Sequence, residues 1–258
     1  MIYTKNTAEI QLMREAGALL YSVLNEVKQM VKPGITSLEL DAAAEKLIRA
    51  GGAIPSFKGY DGFPGSICAS IDQEVVHGFP RNEPLKEGQI ISIDCGLILN
   101  GWQSDSAVTV PVGKVSKEAE KLIKVTEQCF WQGINQARAG NRLGDIGWAI
   151  QKHAEDHGYG VIRDYTGHGI GKEMHEDPSV PNYGKPGRGV RLVEGMTLAV
   201  EPMIGLGTWK IYIADNDWTA VTRDGKYCSH YEHTILITDG APEILSLPDR
   251  SLWRIYAK

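Results

Sequence analysis

The sequence lacks the features that define several large classes of protein. None of its apolar stretches approaches the roughly 20 residues of a membrane-spanning helix, and its first 17 residues lack the apolar core of a secretory signal. Its four cysteines form no Cys-x-x-Cys pair, so their spacing indicates neither a zinc finger nor a disulfide framework. The net charge of −5, without a basic cluster, argues against nucleic acid or an anionic membrane as the main partner. We therefore expect a cytoplasmic protein with no direct nucleic-acid or membrane partner.

Four helices, arranged as two pairs, are predicted from apolar spacing and from residues that cap or stop helices. Asn6 with Glu9, and Thr36 with Glu39, have the spacing of capping boxes. We expect the first pair over residues 7–31 and 36–51, and the second over 116–140 and 143–157. The chain has 258 residues, 42% of them hydrophobic, and no long linker, so it can bury a full core in one or two domains; we expect a single domain, 1–258.

One sequence pattern occurs twice, 107 residues apart. Residues 87–94 read EGQIISID and residues 194–201 read EGMTLAVE, each a strand-like apolar run that ends on a carboxylate. Burial of these carboxylates, Asp94 and Glu201, is costly unless their charge is compensated. The joints between helices repeat at nearly the same distance, which favours an internal duplication over about 8–112 and 115–237. Coincidence is the alternative, because helix–strand alternation is common in α/β proteins.

A tight hairpin is predicted at residues 100–101, an Asn-Gly dipeptide typical of two-residue type I′ turns. This turn would place Gly96 opposite Asp105. Because side chains alternate between the faces of a strand, Asp94, Gly96 and Asp105 would share one face, with the two acids as diagonal neighbours. We expect the acids to bind one or two cations, and Gly96 to leave the space between them open. The alternative is that Asp105 caps a strand at the surface.

The second half of the chain supplies further candidate metal ligands. Glu232 begins another apolar run, and His168 lies between two glycines that let the backbone approach closely. A single histidine is more often structural than ligating, and His153 and His157, on a predicted helix, are interpreted as structural. Four carboxylates and one imidazole form an oxygen-rich set. Such a set suits two divalent first-row ions (Co, Mn, Fe or Zn) better than a structural zinc.

Seven short motifs resemble, in order, those of the type I methionine aminopeptidases. They are VVHG (75–78), IDCG (93–96), SDSA (104–107), GHGIG (167–171), MHEDP (174–178), EPM (201–203) and YEHT (231–234). Each motif is weak alone, but the ordered set covers essentially the whole chain. The resemblance implies an α/β (α+β) pita-bread fold, in which two helix pairs cover an antiparallel sheet with internal pseudo-two-fold symmetry. It further implies a dinuclear metal centre and removal of N-terminal methionine when the second residue is small.

The same resemblance implies roles for individual residues. The metal ligands would be Asp94, Asp105, His168, Glu201 and Glu232, which is also the set collected above from the residues alone. Glu201 would act in addition as general base, and His77 and His175 would be catalytic residues that face the substrate. The methionine side chain would lie in a slot lined by Tyr60, Phe63, Cys68, Met174 and Trp218. The alternative for each of these lining residues is a place in the core.

Two other functions compete with this interpretation. Xaa-Pro-cleaving peptidases share the fold but usually carry an additional N-terminal domain, for which a first helix starting near residue 7 leaves no room. Binding modules on the same fold have lost their metal ligands, whereas all five ligand positions here are acidic or imidazole. We expect a monomer that acts on the N-termini of nascent polypeptides, including those at the ribosome.

Overall fold

The structure, a computed structural model, describes residues 2–254. Its α-helices form two pairs: α1 (Thr7–Met30) with α2 (Ser37–Ala50), and α3 (Lys117–Ile134) with α4 (Leu143–Asp156). Within the described range, no helix combines the length and the apolar character that a membrane crossing needs.

The first two helices begin at the predicted capping boxes. The side chain of Asn6 accepts hydrogen bonds from the N–H groups of Ala8 and Glu9, and the carboxylate of Glu9 accepts from the N–H of Asn6. Thr36 and Glu39 form the same reciprocal pair. Each box satisfies backbone donors that a helix start leaves without intrahelical partners.

The third helix is shorter than predicted, because it ends at Ile134 rather than Gly140. Beyond the helix, the N–H of Ala139 donates to the carbonyl of Thr238, and the N–H of Gly140 donates to that of Leu192. These bonds to distant parts of the chain replace the next helical turn. Ala137, in the segment that follows the helix, is fully buried in the core.

A nine-stranded sheet lies at the centre of the fold, and its paired strands run antiparallel. The strands of this sheet are β1 (Ile54–Pro55), β2 (Ile67–Ile71), β3 (Ile90–Leu99), β4 (Trp102–Pro111), β6 (Gly167–Gly169), β7 (Glu176–Val180), β8 (Thr197–Val200), β13 (Glu232–Leu236) and β14 (Glu243–Ile244). The main path of the sheet runs β1-β3-β4-β13-β8-β6-β7, with β2 beside β3 and β14 beside β13. Two smaller sheets contain β5 (Gly160–Val161), β9 (Met203–Gly205) and β12 (Cys228–His230), and β10 (Ile211–Ile213) with β11 (Ala220–Thr222).

The β3–β4 hairpin has the predicted register. Gly96 pairs with Asp105, and Asp94 pairs with Ala107. Asn100 and Gly101 both have positive φ angles, 52° and 79°, as a type I′ turn requires. The two acids are therefore diagonal neighbours on one face of the hairpin, and this prediction is confirmed.

Each helix pair packs against its own part of the sheet. Ile91, Ile93, Cys95 and Leu97 of β3 lie in one hydrophobic cluster with residues of α1 and α2, while a second cluster joins α3 and α4 to β8 and β13. Because side chains alternate along β3, Asp94 and Gly96 project from the face opposite these helices. The sheet thus separates the helices from the face that carries the acids. The proposed sequence repeat over 8–112 and 115–237 stays a prediction.

Candidate active site

All twelve side chains predicted from the sequence to form a site line one cavity of about 300 Å³. They are Tyr60, Phe63, Cys68, His77, Asp94, Asp105, His168, Met174, His175, Glu201, Trp218 and Glu232. Five residues that were not predicted also line it: Phe57, Asp61, Val76, Tyr165 and Thr166. The sequence motifs therefore meet at one place in the fold.

Five neighbouring strands each bring one candidate ligand to this cavity. In the order of the sheet, β3 carries Asp94, β4 carries Asp105, β13 carries Glu232, β8 ends immediately before Glu201, and β6 carries His168. The glycines beside His168 permit this convergence, because a Cβ at Gly167 would collide with the carbonyl oxygen of Ala199 on β8. An additional methyl group there would force β6 away from the other four strands.

The imidazole of His168 lies between two of the carboxylates. Its Nε2 is 3.8 Å from Oδ2 of Asp105 and 3.7 Å from Oε1 of Glu201. Its Nδ1 is 2.8 Å from the carbonyl oxygen of Gly169, which can only accept, so Nδ1 carries the proton. The lone pair of Nε2 therefore faces the carboxylates, as in histidines that bind metals. Burial lowers the pKa of His168 to about 4, which keeps the ring neutral.

The four carboxylates lie close together, and no cationic side chain is among the cavity-lining residues. Asp105 and Glu232 are buried, and Asp94 and Glu201 are partly buried. Burial, followed by repulsion from neighbouring carboxylates, raises the pKa values of Asp94, Glu201 and Glu232 well above their ordinary values. Burial also raises the pKa of Asp105 to about 7. Within residues 2–254, Oδ1 of Asp94, Oδ1 of Asp105 and Oε1 of Glu232 are buried with no hydrogen-bond partner. Such a group of unsatisfied oxygens fits one or two divalent cations, which would compensate the charge.

The two candidate catalytic histidines, His77 and His175, both line the cavity. His77 has a positive φ of 60° and packs edge-on against Tyr165, with ring centroids 5.1 Å apart. Burial lowers its pKa to about 4. The Nδ1 of His175 is 3.0 Å from the hydroxyl of Tyr60, and its ring centroid is 4.4 Å from that of His168. Both rings therefore border the cavity without belonging to the cluster of carboxylates and His168.

The proposed methionine slot is lined by buried and partly exposed side chains. Phe63, Cys68 and Met174 are buried, whereas Tyr60 is exposed at the rim. Phe63 packs edge-on against Trp218, with ring centroids 5.3 Å apart. All of these side chains border the cavity and thus offer an apolar, sulfur-containing surface to a ligand.

The space above Gly96 is occupied, contrary to the expectation that it would be open. A Cβ on Gly96 would lie 2.9 Å from Cε of Met174 and 2.9 Å from Cε1 of Phe57. The missing side chain therefore lets these two residues pack directly on β3. Gly96 shapes the apolar floor of the cavity rather than a gap between the acids.

His230 is a residue of this site that the sequence interpretation missed. It lies at the end of β12, is 2% exposed, and forms a possible metal-binding group with Glu201 and Glu232. Burial lowers its pKa to about 3, so its ring is neutral. The spacing His-x-Glu at 230–232 was an available signal, because alternate residues of an extended segment share a face.

Comparison with known proteins agrees with the geometry. Residues 11–239 match the family described as "Metallopeptidase family M24". The chain is 56% identical over 248 residues to a methionine aminopeptidase of Clostridium acetobutylicum, covering 96% of this chain and 99% of that protein. The chain belongs to the methionine aminopeptidases of metallopeptidase family M24. Membership of a metallopeptidase family implies the use of divalent metal, in agreement with the buried carboxylates.

Two solved structures resemble the fold of this chain. The crystal structure of methionine aminopeptidase from Rickettsia prowazekii matches with a TM-score of 0.94 and 43% identity, covering 96% of this chain and 100% of that chain. The prolidase from Pyrococcus horikoshii matches with a TM-score of 0.75 and 21% identity, covering 96% of this chain and 65% of that chain. The second likeness shows the fold alone. The predicted pita-bread fold is confirmed.

Proposed function

We propose that this chain removes N-terminal methionine from polypeptides by means of two divalent ions held by Asp94, Asp105, His168, Glu201 and Glu232. One observation carries the proposal: five neighbouring strands direct these side chains into one cavity, where three buried carboxylate oxygens have no hydrogen-bond partner among residues 2–254. The oxygen-rich donor set suits Co, Mn, Fe or Zn. When bound, the two ions would supply Lewis-acid activation of a water molecule and of the first peptide carbonyl.

Glu201 is proposed as the general base. Its side chain borders the cavity, and in the absence of metal, burial followed by repulsion from Asp105 raises its pKa above the ordinary value, which makes the carboxylate a better proton acceptor. In this role it takes the proton of the attacking water and later delivers it to the leaving amine. The strand β8 fixes its position, because Glu201 directly follows the paired residue Val200.

His77 and His175 are proposed to donate hydrogen bonds to the peptide group that is cleaved. Burial keeps both rings predominantly neutral near pH 7, because it lowers the pKa of each. If Nδ1 of His175 accepts from the hydroxyl of Tyr60, the proton of His175 resides on Nε2 and is available to the substrate. Such donors act where negative charge develops on the carbonyl oxygen.

The shape of the cavity supports a substrate that begins with methionine. Phe63, Cys68, Met174 and Trp218 line one part of it and suit a long thioether. A free α-amine is required in this proposal, because the metal site held by the five ligands would take the amine and so orient the carbonyl group. The ring of His77, held edge-on by Tyr165, limits the room beyond the cleaved bond, so the second residue must be small.

A panel of short peptides tests these claims. Peptides that begin Met-Ala or Met-Gly should be cleaved in the presence of Mn or Co, Met-Lys and Met-Leu hardly at all, and N-acetylated Met-Ala not at all. Chelator should abolish cleavage, and added metal should restore it. Preference for Xaa-Pro peptides, equal cleavage of blocked and free peptides, or insensitivity to chelator would each contradict the proposal.

We infer that the enzyme acts as a monomer in the cytoplasm, on nascent chains that include those at the ribosome. The net charge of −5 and the absence of an apolar helix long enough to span a membrane within residues 2–254 support this setting. Light scattering of the purified protein should give a mass near the 28.3 kDa of one chain, and a dimer mass would contradict the monomer.

A further inference from the structure

The imidazole of His230 occupies a place in the site that matches that of His168. The Nε2 of His230 is 3.7 Å from Oε2 of Glu201 and 3.7 Å from Oε2 of Glu232. The Nε2 of His168 is 3.7 Å from the other oxygen of Glu201, Oε1. Glu201 therefore presents one oxygen to each histidine, and each histidine lies between two carboxylates.

The distances favour coordination of a shared ion over hydrogen bonding. A separation of 3.7 Å is too long for a hydrogen bond between nitrogen and oxygen. Two ligand atoms each about 2.1 Å from one ion, at a tetrahedral angle, lie about 3.4 Å apart. The spacing around His230 is close to this value and to the spacing around His168.

The ring of His230 is buried, and the backbone that carries it is anchored. The residue is 2% exposed, and within the described chain its Nε2 has no hydrogen-bond partner. The hydroxyl of Thr109 accepts from the N–H of His230 at 2.9 Å and donates to its carbonyl at 2.8 Å, which anchors the backbone to β4. A buried nitrogen without a partner is costly in a residue that only fills space.

We infer that His230 is a sixth metal ligand, which binds a first-row divalent ion together with Glu201 and Glu232. The inference rests on the proposed function, because it extends the proposed set of five ligands. The metal centre then contains two imidazoles, one at each oxygen of Glu201. A second imidazole favours borderline metals such as Zn, Co and Fe more than a centre with a single one does.

Proton NMR of the cobalt-loaded protein tests this inference by counting imidazoles. Each histidine bound to paramagnetic Co(II) gives a strongly shifted, solvent-exchangeable ring N–H signal. The wild-type protein with two equivalents of cobalt should show two such signals, and His230→Gln and His168→Gln should each show one. His233→Gln is the matched control: this buried neighbour bonds Ser106, Ser246 and Tyr231 instead, and its variant should keep both signals.

Calorimetric titration with Mn provides a second readout. One binding step should weaken at least about tenfold in His230→Gln, because even residues that only support metal ligands contribute that much. A wild-type protein that binds two cobalt ions but shows one imidazole signal overturns this inference and leaves the proposed function standing. Unchanged signals and unchanged affinity in His230→Gln overturn it too. A protein that binds no cobalt overturns the proposed function as well.

Discussion

The hydroxyl of Thr234 makes two hydrogen bonds to the backbone of Asp105. Its Oγ1 accepts from the N–H of Asp105 at 3.0 Å and donates to the carbonyl of Asp105 at 2.9 Å. The strands β4 and β13 pair at Ala107–Glu232 and Ser106–His233. Thr234 thus extends the contact between the strands by one residue through its side chain. A fully buried hydroxyl holds the backbone of a proposed metal ligand in place.

Replacement of Thr234 by valine should weaken this arrangement without changing the shape of the side chain. The N–H and carbonyl of Asp105 would lose their partner in a buried place, which costs about 1–3 kcal/mol for each such group. Urea unfolding of the metal-free protein should show a loss of this order, and metal content after dialysis should fall. Thr234→Ser, which keeps the hydroxyl, should retain its metal, and equal metal loss in both variants would contradict the role of the hydroxyl.

The stability of the metal-free protein should depend on Asp105 and pH. The pKa of Asp105 is raised from 3.8 to about 7, so the folded state favours the neutral form. The folded state binds this proton more tightly than the unfolded state does, and the resulting stabilisation of the fold is fully present below pH 3.8. It is lost as the pH rises through about 7. Because asparagine is always neutral, metal-free Asp105→Asn should gain stability relative to the wild-type protein as the pH rises across this range. Thermal unfolding at several pH values measures the difference.

When metal is present, Asp105→Asn should reduce metal binding and activity. Asp105→Asn removes a negative charge that would hold a cation, so metal stoichiometry and activity should fall together. Asp61→Asn is the matched control, since Asp61 lines the same cavity but is exposed and lies outside the proposed ligand set. Full metal content and full activity in Asp105→Asn would reject the assignment of Asp105.

Tyr60 and His175 should act on turnover rather than on metal binding. Removal of a hydrogen-bond donor to the developing oxyanion costs about 10²-fold or more in kcat, which we expect for His175→Ala. Tyr60→Phe removes only the bond that fixes Nδ1 of His175 and should lower kcat about 2- to 10-fold. Steady-state kinetics with Met-Ala peptides, together with elemental analysis, checks both variants. A change in KM alone in Tyr60→Phe would mean that its hydroxyl serves only substrate binding.

Gly96→Ala should narrow the methionine slot. The added methyl group would lie 2.9 Å from the ends of the Met174 and Phe57 side chains, which must move into the cavity. We expect KM for Met-Ala peptides to rise about tenfold or more, since one methylene in an apolar pocket has an effect of this size. Gly240→Ala, where the new methyl group meets open space, is the control. An unchanged KM in Gly96→Ala would show that Met174 and Phe57 do not form the slot.

Local chemistry explains which structural features were predictable from the sequence. The Asn-Gly turn at residues 100–101 sets the register of the entire β3–β4 hairpin, so the diagonal placement of Asp94 and Asp105 followed from two residues. The capping boxes at Asn6 and Thr36 likewise involve only residues close in sequence. These features needed no knowledge of distant contacts.

Features that depend on distant contacts were not predicted. The end of α3 is determined by bonds to Thr238 and Leu192, which belong to the other end of the chain. His230 lies on β12, in a smaller sheet than the other candidate ligands, so the argument from the acid-ended strands of the main sheet left it out, and only its spacing from Glu232 pointed to it. The packing of Met174 over Gly96 depends in the same way on a loop whose position the hairpin does not specify.

The two hydrophobic clusters have a consequence for how the enzyme withstands unfolding. Each helix pair packs on its own part of the sheet, and the proposed ligands come from both parts: Asp94 and Asp105 from β3 and β4, and His168, Glu201 and Glu232 from β6, the end of β8 and β13. A bound ion would therefore add a cross-link between the two parts of the sheet, which otherwise join through the pairing of β4 with β13. Because a ligand of the folded state stabilises it by an amount that grows with the logarithm of ligand concentration, metal starvation would loosen the junction as well as stop catalysis. The lifetime of the enzyme in a cell would then follow its metal supply.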